Sequence, residues 1–207
     1  MLVLHYTGMP DGKSALERMC DPKAQVSAHY MIEEDGTVFA LVDEARRAWH
    51  AGAGSWRGYP DINSRSIGIE LVNPGHEFGY RAFPMAQMEA LAALAPAILA
   101  RHPIPPRNVI AHADLAPARK EDPGELFDWA WLAARGIGLW PQSIRTMAHV
   151  DVDAELARWG YAIGTEGPKP ALVAFQRHFR PSNIDGVADE ETVARLMALL
   201  ALVGNAP

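Results

Sequence analysis

Apolar and polar positions along this chain switch between two periods, outlining a strand-rich first part and a helical last part. The apolar run at 2–5 reads as a short buried strand, and a brief helical pattern follows over 14–19. Residues 28–32 and 37–41 read as a hairpin around Asp35-Gly36, a pair that supplies the positive-φ turn a tight hairpin needs. Residues 67–72 form a further apolar strand, stopped by Asn73-Pro74-Gly75. The clearest helix spans 85–101, where Met88, Leu91, Leu94, Ala95, Ile98 and Leu99 fall on one stripe. Pro84 suits its first turn, whereas Pro96 should kink it or weaken one turn. A strand is expected at 108–112 and a helix at 126–135, closed by Gly136.

Strands interleaved with helices predict an α/β domain over residues 1–139, with a mixed central β-sheet flanked by helices. Three short helical stripes follow at 153–159, 170–179 and 190–203. A turn at Asp185-Gly186 precedes the last, and Asp189 is placed to cap it. Residues 140–207 are therefore expected to form a small three-helix all-α domain.

Composition narrows the partners. The 207 residues are 49% hydrophobic and 21% charged, ordinary for a globular protein. The net charge of −6 comes without a basic stripe, so no nucleic-acid partner is expected. No run approaches the roughly 20 apolar residues that span a bilayer. The single cysteine, Cys20, excludes a disulfide within the chain and agrees with a reducing compartment. No basic and apolar leader precedes the first strand, so a cytoplasmic location is expected; the alternative is the periplasm or cell envelope, had a leader been removed. A monomer is expected.

Against this background, His5, His112 and Asp122 stand out. The two histidines end apolar strands, and Asp122 precedes the Pro123-Gly124 turn. Two imidazoles and one carboxylate are a common ligand set for catalytic Zn2+, with a fourth position left for water. Strand ends hold ligands on rigid backbone. The spacing alone does not select this set. Asp114 rivals Asp122, and His29 and His50 also sit beside strands. His29 is expected to pack behind the site and His50 to line the cleft beside Trp49. His76, His102, His149 and His178 are expected to face solvent outside the constellation. Glu70, in SIGIELVN, is a carboxylate suited to act as a base, and Lys120 lies two residues before Asp122. Taken singly, Glu70 reads as an outward-facing strand residue and Lys120 as a solvated loop lysine.

The blocks LVLHYT, VSAHYMI, AWHAGAGSWRG, INSRSIGIELVNPG, NVIAHADLAPARKEDPG and GIGLWPQ occur in this order. Together they resemble the zinc-dependent N-acetylmuramoyl-L-alanine amidases of the type 2 family, in particular their AmiD-like branch. The resemblance implies zinc ligands at His5, His112 and Asp122, a catalytic glutamate at Glu70 and a catalytic lysine at Lys120. It implies hydrolysis of the amide between N-acetylmuramic acid, or its anhydro form, and the L-alanine of the stem peptide. Glu125 and Asp128 stand where close relatives often carry prolines, which should alter the rim of the site and leave its chemistry intact. The stretch AFQRHFRPSNIDGVADEETVARL resembles a type 1 peptidoglycan-binding domain, through Phe175-Gln176, Asp185-Gly186 and Thr192.

Expected partners are soluble anhydro-muropeptides or polymeric peptidoglycan. Asn73, Trp56 and Arg57 are the expected substrate contacts, with Arg65 a further candidate. Two other readings compete: a recognition protein that binds muropeptides without cutting them, and a lysin-type hydrolase. The filled set of five catalytic positions favours the enzyme over the first.

Overall fold

In the computed structural model, residues 1–142, 150–165 and 167–204 are described. The apolar runs become a five-stranded sheet with the strand order β3-β2-β4-β1-β5. Strand β1 (Leu2–Tyr6) lies parallel to both β4 (Ile67–Leu71) and β5 (Val109–Ala111). Strand β2 (Tyr30–Ile32) runs parallel to β4 and antiparallel to β3 (Val38–Ala40), giving the expected mixed sheet and hairpin. Parallel strands covered on both faces need apolar residues at nearly every position. Leu2, Leu4, Ile69 and Leu71 accordingly have no exposed surface. The parallel register sets His5 beside Glu70 on neighbouring strands.

Helices α1 (Gly12–Cys20), α2 (Gly75–Phe78) and α3 (Met85–Arg101) follow the first strands. Asp11 starts α1 by accepting the Ser14 N–H. Leu91, Ala95 and Ile98 of α3 are completely buried in the core. Pro96 does not end α3, which runs on to Arg101. Its ring lies on the exposed side, where a helix tolerates a lost or lengthened bond by curving. Two expected boundaries move. His112 opens a short helix, α4 (His112–Leu115), and does not end a strand. Helix α5 covers only Trp129–Ala133, because the Asp128 carboxylate accepts the Trp131 N–H and starts the helix there.

The last third supplies α6 (Val152–Trp159), α7 (Lys169–Phe179) and α8 (Glu190–Val203). Asp151 caps α6 and Asp189 caps α8, the latter as the sequence predicts. Buried Gln176 fixes the loop before α8: its amide donates to Val187 O at 2.9 Å, and its carbonyl accepts the Gly186 N–H at 2.7 Å. Leu156, Trp159, Phe175, Phe179 and Leu196 belong to one apolar cluster with Leu4 and Ile69 of the sheet. Among the described residues, no helix is long and apolar enough to cross a membrane. His149 lies outside the described residues.

The α3 contact with the sheet should carry a large share of stability. Leu91→Ala is expected to lower unfolding free energy by about 2–5 kcal/mol, because the cavity adds to the lost burial. Urea denaturation measures it, and a change below about 1 kcal/mol would show that this interface repacks at little cost.

Candidate metal centre and active site

Residues from four segments meet at the carboxyl ends of β1 and β4. His5 comes from β1, Glu70 from β4, His112 from the start of α4, and Lys120 and Asp122 from the loop beyond α4. All five line one cleft of about 590 Å³. The backbone N–H of Ala113 donates to Asp122 O at 3.0 Å, which brings the loop back beside the helix start. Arg119 fastens the same loop by donating to Ala51 O at 3.0 Å and Ala53 O at 2.6 Å.

His5 Nδ1, His112 Nδ1 and Asp122 Oδ2 form a triangle with every side 3.0 Å. What these atoms carry follows from the far sides of the rings. His112 Nε2 lies 2.9 Å from Ala51 O, which can only accept, so Nε2 holds a proton and in the neutral ring Nδ1 is bare. Ser66 donates its one hydroxyl hydrogen to Ile62 O at 2.6 Å. It must therefore accept from His50 Nε2, at 3.1 Å. His50 Nδ1 is then bare and accepts from His5 Nε2 at 2.9 Å, leaving His5 Nδ1 bare as well. With both rings neutral, three lone-pair atoms face one another with no hydrogen between them.

Burial and then repulsion by His112 lower the His5 pKa to about 4, so this ring is neutral near neutral pH. Burial, followed by the neighbouring His5, also holds His50 well below its ordinary value. For Asp122, burial acts upward, but a protonated His112 or His5 outweighs it by charge and hydrogen bonding and holds the carboxyl well below the usual range. Tetrahedral zinc, with bonds of about 2.0–2.1 Å, separates its ligand atoms by about 3.3 Å. The 3.0 Å triangle needs only a slight spreading to match that. The group therefore fits a divalent cation.

Glu70 is 9% exposed, and its Oε2 has no hydrogen-bond partner among the described residues. Burial, reinforced by the charge of Asp122 and opposed by Lys120, pushes its carboxyl well above the ordinary value. It is not the outward-facing strand residue that its alternating neighbours allow. A buried, unsatisfied carboxylate aimed into a cleft is suited to take up a proton.

The rival ligands have other partners. Asp114 accepts from Ala111 N–H, Tyr161 OH and His178 Nδ1. His29 is packed, as expected: Nδ1 accepts from Gly68 N–H at 2.9 Å and Nε2 donates to Arg46 O at 3.1 Å. His50 does line the cleft, and it also locks the tautomer of His5, a role its sequence context does not reveal. A Cβ on Gly68 would come within 2.4 Å of the His50 ring, so glycine is what lets that ring sit against β4. One histidine expected in solvent is not there: His178 is 4% exposed. His76 is exposed, as expected, and stacks on Tyr80 at 4.2 Å while lining the cleft.

The three expected substrate contacts are not among the described residues that line this cleft. Trp56 is 1% exposed, packs edge-on against Tyr161 and donates from its indole to Asn108 at 3.2 Å. Asn73 is fully buried, its amide donating to Arg81 O at 2.7 Å and its carbonyl accepting the Gly75 N–H at 3.0 Å. It shapes the turn into α2. Arg57 has a φ of 53° and donates its backbone N–H to Gly160 O at 2.8 Å. Arg65 lies over the Tyr59 ring. The cleft walls instead use Met9 and Arg18 from one side and His76 and Phe78 from the other, none of which the motif pattern marks.

A buried pair of imidazoles and a carboxylate that could hold a metal ion, beside a glutamate with a free Oε2 on a mixed sheet, are the kind of groups a hydrolase uses. The family pattern for N-acetylmuramoyl-L-alanine amidase matches residues 1–125. The chain belongs to this family, enzymes that hydrolyse the amide between N-acetylmuramic acid and L-alanine. It is 41% identical to N-acetylmuramoyl-L-alanine amidase AmiD of Escherichia coli K12, over 99% of this chain and 83% of that protein. The structure of E. coli AmiD with anhydro-N-acetylmuramic acid-L-Ala-D-γ-Glu-L-Lys superposes with a TM-score of 0.88 at 39% identity, covering 100% of this chain and 90% of the other. AmpDh3 from Pseudomonas aeruginosa in complex with anhydromuramic pentapeptide gives a TM-score of 0.86 at 34% identity, covering 98% and 91%.

Trp56 should matter for stability and not for substrate affinity. Trp56→Ala is expected to cost about 3–5 kcal/mol in unfolding free energy, with KM of the folded enzyme unchanged. A raised KM at wild-type stability would return the indole to the substrate site.

Proposed function

We propose that this chain is a zinc-dependent amidase in which His5, His112 and Asp122 hold the metal, Glu70 is the general base and Lys120 steadies the developing negative charge. The observation that carries this reading is the proton-free triangle of ligand atoms, 3.0 Å on each side. Zinc held there supplies Lewis acidity, acidifying water and polarising an amide carbonyl. Glu70 takes the proton of the attacking water on its free Oε2 and later delivers it to the departing alanine nitrogen. The Lys120 ammonium lines the same cleft and places positive charge where the oxyanion forms, a contribution of about 3 kcal/mol for one well-placed donor. The buried floor of the site, with His50 and Glu70 almost closed to solvent, strengthens both effects.

The substrate is proposed to be a soluble anhydro-muropeptide, in peptidoglycan recycling. The ligands named for the AmiD and AmpDh3 complexes, both anhydromuramyl peptides, support this. The proposed setting is the cytoplasm, supported by the single thiol Cys20, and the proposed active form is a monomer. Residues 140–207 are proposed to be a peptidoglycan-binding-like unit, supported by the helices α6, α7 and α8 and by the Gln176-centred loop.

Mass spectrometry of products from a purified anhydro-muropeptide tests the activity. Free stem peptide should appear, should vanish after chelation and should return with zinc. Glu70→Gln should retain zinc and slow turnover by about 10²–10⁴-fold. Wild-type turnover in that variant would remove Glu70 from the reaction. The hydrogen-bond chain behind His5 makes a separate prediction. Ser66→Ala strips His50 of its acceptor and should weaken zinc binding by about tenfold or more in a chelator competition. Unchanged affinity would show that His5 keeps its tautomer without this chain.

A further inference from the structure

The metal site has two halves that are held differently. His5 and Glu70 sit in register on paired strands of the sheet. His112, Lys120 and Asp122 sit on a short helix start and the loop after it, outside any strand. Two consecutive residues of α7 grip these two segments. Arg177 pairs with Glu125 at 3.2 Å and Glu121 at 3.6 Å, acidic residues on either side of Asp122 in the loop. His178 donates from Nδ1 to Asp114 at 2.7 Å. The same carboxylate accepts the Ala111 N–H at 2.8 Å, so it clasps the turn in which His112 stands. Tyr161, which follows α6, gives its hydroxyl to the other oxygen of Asp114.

This cluster is built into the core. Asp114 is 1% exposed, Tyr161 3% and His178 4%. Trp129 stacks on the His178 ring at 3.8 Å, with planes 26° apart, and leaves it little rotational freedom. A buried carboxylate that lost two of its three donors would have to shift or find others, and Ala111 and His112 would move with it.

We propose that His178 and Tyr161 are positioning residues for the metal: through Asp114 they hold His112 where its Nδ1 meets His5 Nδ1 and Asp122 Oδ2. The C-terminal helices then complete the catalytic site from behind, whatever else their outer surface binds. This inference rests on the zinc reading given above.

The test is zinc affinity of the full-length chain, measured by chelator competition, together with the cooperativity of its unfolding. His178→Leu removes the donor and keeps an apolar filling; it should bind zinc about tenfold or more weakly while still unfolding cooperatively. His178→Asn presents an amide N–H near the Nδ1 position and should recover most of that affinity. Tyr161→Phe removes only the hydroxyl and should weaken zinc by a smaller factor. A general packing role would lower thermal stability in all three without separating Asn from Leu in metal affinity. Wild-type zinc affinity in folded His178→Leu and Tyr161→Phe overturns the proposal. Should His178→Leu fail to fold, Tyr161→Phe decides alone. A wild-type chain that binds no zinc overturns the functional reading and this inference together, whereas tight wild-type binding with unaffected variants overturns this inference only.

Discussion

One directional chain of hydrogen bonds governs the site. Ile62 O can only accept, so Ser66 donates to it, His50 donates to Ser66, and His5 donates to His50. On the other side, Ala51 O imposes the same orientation on His112. The backbone carbonyls of residues 51 and 62 thus determine, from behind, that two lone pairs point at the Asp122 carboxylate. Without a cation, that meeting of three acceptors is electrostatically unfavourable, and the surrounding fold must impose it. The fold does so with rigid parts: a strand for His5, Asn63 accepting the N–H groups of His50 and Ala51, and Arg119 tethering the loop of Asp122.

Part of this was legible in the residues themselves. A short apolar run ending in histidine predicts a buried strand that delivers an imidazole to the end of the sheet, and both His5 and His112 stand near strand ends. The positions of Glu70 and His5 opposite each other were not legible, because strand pairing is a long-range choice; parallel register sets it. The choice between Asp114 and Asp122 was equally hidden. Both are buried acids close in sequence to His112, and only their donors separate them. Asp114 is surrounded by three hydrogen-bond donors, two of them from residues 47 and 64 positions away.

The placement of the expected substrate contacts away from the cleft lining was hidden for a similar reason. Trp56 and Arg57 lie in a glycine-rich stretch that reads as an exposed loop, and exposed tryptophan and arginine are common at binding sites. The C-terminal segment covers this loop: Gly160 accepts the Arg57 N–H and Tyr161 meets the Trp56 ring. Local composition cannot report a surface that a distant part of the chain will bury. The same segment carries His178, which is buried against Asp114 and Trp129, so both placements have a common origin in how residues 140–207 pack against the rest of the chain.

That shared origin bears on how the enzyme divides its tasks. Glu70 and His5 are on the sheet, where their separation is set by strand spacing. Lys120, His112 and Asp122 are on helix-start and loop segments, which are intrinsically freer. Arg177 engages the loop near Asp122 and Lys120, and its neighbour His178 engages Asp114 at the His112 turn. A single helix therefore constrains the less rigid half without occupying the cleft, whose rim stays open for a sugar and a peptide. Catalysis at a fixed centre needs reacting groups held within fractions of an ångström. In this chain the sheet alone cannot provide that, because three of the five groups are not on it.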